Sequence, residues 1–304
     1  LEFRRVLFRS YMASGKTCSS SLNNPMRRAT PLILLLLLVT AAVHSFGQTP
    51  TAGDKAAEFA EEIKRTPCDS TKRKEAVIAL FEKMGAPESA IKTQEFDQGE
   101  NILVTKQGKS AETIFVGAHY DKVDDGCGAI DNWTGILILA NIYHALVNVP
   151  TEKTYIFAAF DSEEKGLLGS KYMAKKAKAE ADRRVCSMVN FDSFGFTAPQ
   201  APGNMANSKM IRAAKDLAKD LDFVLYSDSI DNGDSDSSAF IDVGIPAITF
   251  DGLNAAGAKY LHNTNDRVEG IDVGSLVSGY SFGLMFIAKL DALSCDTFYK
   301  KKKK

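Results

Sequence analysis

Apolar strand patterns alternate with amphipathic helix patterns from residue 101 onward, and this alternation is the strongest constraint on the fold. The strand patterns lie at 101–107, 113–119, 154–160, 185–191, 223–227 and 245–250, and the helix patterns at 132–147, 166–182, 207–221 and 272–292. Such alternation predicts an α/β fold with a mainly parallel, mixed β-sheet and helices on both faces. The first two strands, joined by a polar turn, are expected to form an antiparallel hairpin.

The two ends of the chain do not share this pattern. Residues 1–25 show no periodicity, and we interpret them as non-native upstream sequence. Residues 26–47 combine two arginines with a short apolar run and small residues, which is typical of a signal peptide. The run is shorter than the about 20 residues of a membrane span, so a retained anchor is only the alternative. We expect one domain at 48–299 and a lysine tail at 300–304, with no stable membrane insertion after cleavage.

The predicted domain is acidic. The whole chain has a formal charge of −1, but residues 1–47 hold six Lys and Arg against one Glu, and the tail adds five Lys. An acidic domain argues against nucleic-acid binding, which needs a basic surface. The signal pattern predicts a secreted or periplasmic protein. In that setting four cysteines predict one or two disulfides, with the pairing left open: Cys68, Cys127, Cys186 and Cys295.

Potential metal ligands follow three of the apolar strands. His119 ends the strand at 113–119, Glu163 and Glu164 follow the strand at 154–160, and Asp192 follows the strand at 185–191. The carboxyl ends of parallel strands meet at one edge of a sheet. Two further residues of these types lie in polar loops, namely Asp131 and His262. Two imidazoles and four carboxylates suffice for two divalent metals and one free carboxylate, as in a metal-assisted hydrolase.

Each of these residues also has an ordinary structural explanation. Asp131 precedes a helix pattern and is a candidate N-cap. Glu163 and Glu164 are acids of the kind that favour a first helical turn, and His262 alone reads as an exposed loop residue. The joint pattern favours the hydrolase site over these separate explanations. His144, inside an apolar helix, is interpreted as a packing residue.

Five motifs resemble the M28 family of co-catalytic zinc aminopeptidases. They are HYD, Asp-Asn-x-x-Gly, Ser-Glu-Glu-x-Gly-Leu-x-Gly-Ser, the Asp after the third strand and Tyr-x-His, and they cover about residues 97–292. The resemblance implies the phosphorylase/hydrolase-like architecture of zinc exopeptidases. It also implies two zinc ions per chain, with His119 and Asp192 on one, Glu164 and His262 on the other, and Asp131 bridging both.

The same resemblance assigns the remaining roles. Glu163 would be the general base that activates a water held between the metals, and Asp121 would orient His119. A non-proline cis peptide is expected at Asp131–Asn132. The sequence departs from the family pattern at two places: Asn263 and Thr264 follow the late His, and Ser237 stands where His is common. The second departure puts contacts at the substrate edge in question.

The resemblance therefore implies an exported, monomeric aminopeptidase that acts on peptides with a free N-terminus. Three alternatives remain open: a single-zinc glutaminyl cyclase, a carboxypeptidase-like or amino-sugar hydrolase, and a non-catalytic binding domain. Side-chain specificity is also open, because four aromatic residues fit either a substrate pocket or the core: Phe194, Phe196, Tyr226 and Tyr260.

Overall fold

The computed structural model describes residues 52–180, 184–227, 229 and 233–300. The predicted upstream segment, the signal peptide at 26–47 and most of the lysine tail lie outside the described residues. The chain divides into two units, Leu1–Lys55 and Ala56–Lys304. The described strands and helices lie in the second unit, apart from the first four residues of one helix, at 52–55.

A six-stranded sheet forms the centre of this unit. Its strands are β1 (Ile91–Phe96), β2 (Gly99–Lys106), β3 (Thr113–His119), β4 (Thr154–Phe160), β5 (Val185–Phe191) and β6 (Ala247–Phe250). Their order across the sheet is β1-β2-β4-β3-β5-β6. The pairings among β3, β4, β5 and β6 are parallel, whereas β2 runs antiparallel to both β1 and β4. The predicted mainly parallel, mixed sheet is confirmed.

The predicted hairpin of the first two strands is wrong. β2 pairs with β4, and β4 lies between β2 and β3. All seven residues of β3 are buried, so β3 needs a neighbour on each side and takes a central position. The hairpin partner of β2 is instead β1. β1 was not predicted, because its polar, partly exposed residues do not form an apolar strand pattern. The predicted strand at 223–227 forms only an isolated bridge from Tyr226 to Gln200, and its Val224 is 55% exposed.

Helices cover both faces of the sheet, as predicted. They are α1 (Ala52–Ile63), α2 (Arg73–Lys83), α3 (Thr134–Leu146), α4 (Leu168–Ala179), α5 (Ser208–Asp220), α6 (Asp236–Asp242) and α7 (Val273–Ala292). On one face, Met173 of α4 and Phe240 of α6 join a buried cluster with Phe115 of β3. On the other face, the ring of Tyr143 in α3 lies 5.3 Å from that of Phe157 in β4.

Helix α7 is apolar enough and long enough to cross a membrane by composition alone. Half of its most apolar window is buried inside the protein, however, and it packs against α3. Those contacts are typical of a core helix.

Two disulfides join the four cysteines of the domain. Cys68 pairs with Cys127, and Cys186 pairs with Cys295. The first bond connects the segment before α2 to the loop that follows β3. The second connects the start of β5 to the residues after α7. One or two disulfides were expected, and two are present. The structure also supplies the pairing that the sequence left open.

Candidate metal centre

All six predicted ligand-type residues meet at the carboxyl edge of the sheet. His119 is the last residue of β3, Glu163 and Glu164 lie in the loop after β4, and Asp192 directly follows β5. Loops that are distant in sequence bring the other two residues, Asp131 and His262, to the same cavity. The edge position follows from the parallel register of β3, β4 and β5, which sets their carboxyl ends side by side.

Asp131 lies at the centre of the cluster, with one carboxylate oxygen facing each histidine. Its Oδ1 is 3.0 Å from Nε2 of His119, and its Oδ2 is 3.1 Å from Nε2 of His262. On the first side, Oδ1 of Asp192 lies 3.5 Å from the same His119 nitrogen. On the second side, Oε2 of Glu164 lies 3.2 Å from the His262 nitrogen. The arrangement is two sets of donors that share one carboxylate.

The donor atoms fit a pair of divalent cations. Ligand atoms of His119, Glu163 and Asp192 all lie within 4.8 Å of one another, and so do those of Asp131, Glu164 and His262. Imidazole nitrogen with carboxylate oxygen is a donor set that suits zinc. A third group of ligand-type residues lies elsewhere, but its Cys186 and Cys295 sulfurs are joined in a disulfide and cannot act as thiolate ligands.

Crowded negative charge shifts the acid–base equilibria of the cluster. Burial, together with the charges of nearby carboxylates, raises the pKa of Glu163 to about 10 and that of Glu164 to about 7. A hydrogen bond to Asp131 raises the pKa of His262 to about 9. Burial works against ionisation of Asp131, but the hydrogen bonds from both imidazoles outweigh it, and its pKa lies below the usual range. Divalent cations would neutralise the same charge that these protons neutralise.

The segment Ala129–Trp133 sets the direction of the central carboxylate. The peptide bond Asp131–Asn132 is cis, which confirms the expectation from the family resemblance. The Asn132 amide donates to the carbonyl of Phe191 at 2.9 Å, and its oxygen accepts from the backbone N–H groups of Gly135 and Ser193. This segment is therefore fastened directly to the end of β5.

The loop before Asp131 also touches the loop that carries His262. Gly126 has φ of 73°, and a Cβ there would lie 2.4 Å from the carbonyl oxygen of Asn263. Only glycine fits this contact, because the backbones approach too closely for a side chain. The carboxylate of Asp266 adds hydrogen bonds from the backbone N–H groups of Ile130, at 2.7 Å, and Asp131, at 3.2 Å.

Asp121 links two of the loops that carry predicted ligands. Its carboxylate accepts from the backbone N–H of Glu163 at 3.0 Å and from that of Glu164 at 3.2 Å. Its Oδ1 also lies 3.4 Å from Nδ1 of His119, although that nitrogen makes no hydrogen bond in the described structure. Asp121 therefore holds the glutamate loop beside His119.

Two residues that support the cluster escaped the sequence reasoning. Arg73 is fully buried and donates to the carbonyl groups of four residues: Pro67, Tyr120, Cys127 and Gly128. Burial lowers its pKa to about 10, so the guanidinium stays charged at neutral pH. No sequence signal marks one Arg of a helix for this role. Ser235, whose hydroxyl donates to Oδ2 of Asp192, lies two residues before Ser237, at which the sequence departs from the family pattern.

A cavity of about 210 Å³ opens onto the cluster. None of the four aromatic residues considered for a substrate pocket lines it: Phe194 is buried in the core, and the ring of Phe196 packs 5.2 Å from that of Tyr260. Tyr226 is 48% exposed. Ser237 does not line the cavity either, since its hydroxyl is buried against the Met205 carbonyl and the Thr249 hydroxyl.

The chain is similar in sequence to curated proteins named as aminopeptidases. Aminopeptidase Y of Saccharomyces cerevisiae is 29% identical over 182 residues, which are 57% of this chain and 33% of that protein. Aminopeptidase YwaD of Bacillus subtilis is 27% identical over 198 residues, 60% of this chain and 43% of that protein. The chain thus spans less than half the length of these curated relatives.

Solved structures share the fold at low sequence identity. The LapA aminopeptidase of Legionella pneumophila has a TM-score of 0.68 at 16% identity, covering 88% of this chain and 79% of its own. The zinc aminopeptidase BSAP of Bacillus subtilis has a TM-score of 0.57 at 21% identity, covering 69% of this chain and 55% of its own. A glutaminyl cyclase of an Acidobacteriales bacterium has a TM-score of 0.67 at 15% identity, covering 81% of this chain and 97% of its own.

Residues 101–281 match peptidase family M28, and this match spans more than half of the chain. It contains every residue of the candidate metal centre, from His119 at the end of β3 to His262 in the late loop. The chain belongs to peptidase family M28.

Proposed function

We propose that this protein is an exported zinc aminopeptidase that removes N-terminal residues from peptides. The observation that carries the proposal is the shared carboxylate of Asp131, whose two oxygens each face a different histidine, at 3.0 and 3.1 Å. A single metal would need only one of these two donor sets. The convergence of both on Asp131 supports two cations rather than one.

Each cation would take three side chains. His119 and Asp192 would hold one, Glu164 and His262 would hold the other, and Asp131 would contact both, in line with the nitrogen–oxygen distances of the two donor sets. When bound, two zinc ions acidify a water molecule and polarise the carbonyl group of the bond that is cut.

Glu163 is the carboxylate that this scheme leaves free of metal. It lines the same cavity, so its oxygens reach the space that the substrate would enter. Positive charge bound at the neighbouring ligands lowers the pKa of a carboxyl group. Glu163 would then accept a proton from the attacking water and donate it to the departing amine. Asp121 would act through position, because it holds the backbone of Glu163 and Glu164 beside His119.

The surroundings of the site support a substrate with a free amine and a protein outside the cytoplasm. The cavity is lined by acidic side chains, which attract a cationic N-terminus. Both disulfides support export, since such bonds persist in oxidising compartments. We further propose that the protein acts as a monomer.

Metal content and a substrate panel test the proposal together. Purified protein should contain two zinc ions per chain and should hydrolyse amino-acid anilides with a free amine, but not the same anilides with an acetylated amine. Glu163→Gln should abolish turnover and keep both zinc ions. The matched control is His144→Gln, because the imidazole of His144 pairs with the Met84 carbonyl at 3.0 Å and does not line the cavity. Turnover by Glu163→Gln at the wild-type rate would remove Glu163 from the mechanism.

A glutaminyl cyclase is the second candidate, because the chain spans 97% of a solved cyclase but 79% and 55% of the two solved aminopeptidases named above. Peptides that begin with glutamine distinguish the two. Release of free glutamine supports the aminopeptidase. Loss of ammonia with the peptide bond intact, together with one zinc ion per chain, supports the cyclase.

A further inference from the structure

Asp251 lies next to the candidate metal centre without belonging to it. It follows the last residue of β6, and the parallel register of Phe191 with Phe250 places it beside Asp192. The backbone N–H of Asp192 donates to the carbonyl of Phe250 at 3.0 Å, which fixes this neighbourhood. Asp251 lines the cavity, but no group of candidate metal ligands includes it.

One oxygen of the Asp251 carboxyl group has no partner. Oδ1 accepts hydrogen bonds from the Gln200 side chain and from the backbone N–H of Leu253. Oδ2 is buried and makes no hydrogen bond within the described part of the chain, and the whole residue is 2% exposed. Burial raises the pKa of this carboxyl group to about 8. A buried carboxyl oxygen without a donor is unfavourable, so the group would be stabilised by a donor that enters the cavity.

The remaining cavity wall suits a long side chain with a cationic tip. Apolar atoms come from Met205, Leu253 and Leu261, and among the described lining residues there is no Lys or Arg. Asp234 contributes a further carboxylate at the exposed rim. Lysine and arginine carry a charge at the end of an apolar stem, and they bury the stem when the charge finds a partner.

We propose that Asp251 receives the cationic side chain of an N-terminal lysine or arginine of the substrate peptide, and so determines specificity. This inference rests on the proposed aminopeptidase function. Met205, Leu253 and Leu261 contact the apolar stem, and Oδ2 of Asp251 accepts a hydrogen bond from the ammonium or guanidinium group. The pair resembles a buried ion pair in its energetics, since each member loses water and gains the other.

A purely structural role for Asp251 makes a different prediction. In that case the carboxyl group only fastens Gln200 and Leu253, and its loss would lower activity on every substrate by the same factor. A role in specificity changes the ratio between substrates.

Lysine and norleucine anilides measure that ratio, because norleucine has the same unbranched stem without the charge. We expect wild-type kcat/KM to favour lysine by about tenfold or more, since a buried polar group rejects a ligand that leaves it unpaired. Asp251→Asn, which keeps an acceptor for Leu253, should reduce this preference by about tenfold. Asp220→Asn is the matched control, because Asp220 is exposed at the end of α5 and does not line the cavity, and this variant should retain the preference.

A wild-type preference for norleucine would overturn the inference, whether or not Asp251→Asn folds. An unchanged ratio in a folded Asp251→Asn variant would overturn it as well, and equal losses on both substrates would assign Asp251 a structural role.

A binding measurement separates this inference from the proposed function. Zinc-loaded Glu163→Gln is titrated with lysinamide and with norleucinamide in a calorimeter, with and without the added substitution Asp251→Asn. If wild-type protein hydrolyses neither anilide but lysinamide binds at least about tenfold more tightly in an Asp251-dependent manner, the function fails and the inference stands. If the anilides are hydrolysed but neither binding nor turnover distinguishes lysine from norleucine, the function stands and the inference fails.

Discussion

Asp266 holds Asp131 through its backbone: Oδ2 of Asp266 accepts a hydrogen bond from the Asp131 N–H at 3.2 Å, while Oδ1 accepts from the preceding N–H at 2.7 Å. The late loop that carries His262 therefore also fixes the carboxylate that both donor sets share. A supporting residue of this kind affects metal affinity without touching the metal.

Asp266→Ala is expected to weaken zinc binding by about 10–100-fold, which is the usual effect of removing such support. Competition with a chromogenic chelator measures this. Asp272→Ala is the matched control, because Asp272 caps α7 by accepting from the Gly274 N–H and lies outside the metal centre. The control should lose stability by about 1 kcal/mol and retain zinc affinity. Equal zinc affinity in the two variants would contradict the role of Asp266.

Arg73→Met should destabilise the domain strongly. The substitution leaves the buried carbonyls of Tyr120 and Cys127 and the partly buried carbonyl of Pro67 without the guanidinium donor, whereas the Gly128 carbonyl still accepts from the Trp133 N–H. Each unsatisfied buried group costs about 1–3 kcal/mol. We expect the free energy of unfolding to fall by more than about 3 kcal/mol and zinc affinity to fall with it. Chemical denaturation gives the first value and chelator competition the second. Lys74→Met is the matched control, because Lys74 is half-buried and forms an ion pair with Glu100. It should change the free energy of unfolding and the zinc affinity much less than Arg73→Met does.

The two disulfides should differ in their effect on the metal centre. Removing either pair by Cys→Ser substitution is expected to cost about 2–5 kcal/mol of stability. Cys127 lies in the loop that leads to Asp131. The bond between Cys186 and Cys295 lies at the start of β5, whereas the metal centre lies at its other end. The Cys68→Ser/Cys127→Ser variant should therefore also bind zinc more weakly, while Cys186→Ser/Cys295→Ser should keep wild-type affinity. Thermal unfolding in the presence and absence of a chelator distinguishes the two effects.

The buried carboxyl group of Asp251 makes stability depend on pH. Burial raises its pKa from 3.8 to about 8, so the folded protein binds a proton that the unfolded chain has released. The stabilisation is complete below about pH 4 and is lost as the pH rises through about 8. Asn cannot ionise, so the unfolding free energy of the wild type should fall relative to that of Asp251→Asn between pH 5 and 8. The maximum slope is about 1.4 kcal/mol per pH unit. A pH-independent difference between the metal-free proteins would contradict the assignment.

The three predicted strands that locate the site share one property, which is burial on both faces. β3, β4 and β5 are continuous apolar runs, and their strand ends locate His119, Glu163 and Asp192. Pairing order was not predictable, because it depends on contacts between β2 and β4 whose partners, from Ile102 with Ala159 to Lys106 with Tyr155, are 57 to 49 residues apart in sequence. β1 was missed because its outward residues are polar, and α6 because it spans only seven residues.

The candidate site was predictable to the extent that its residues carry motifs. Each predicted ligand lies at the cluster, and the expected cis bond at Asp131–Asn132 is present. The roles of the individual ligands, and of Glu163 as the base, stay predictions. The supports were harder to foresee, because Arg73 acts by donating to backbone carbonyls, and any carbonyl can serve as an acceptor.

The position of Arg73 has a consequence for any attempt to produce the region that matches family M28 alone. The match to family M28 begins at residue 101, but a protein trimmed to that boundary would lack the guanidinium that donates to the carbonyls of Tyr120 and Gly128. It would also lack Cys68 and leave Cys127 as a free thiol. An expression clone that starts near residue 101 would encode the metal ligands without the scaffold that aligns them, whereas one that starts at about residue 52 would encode both.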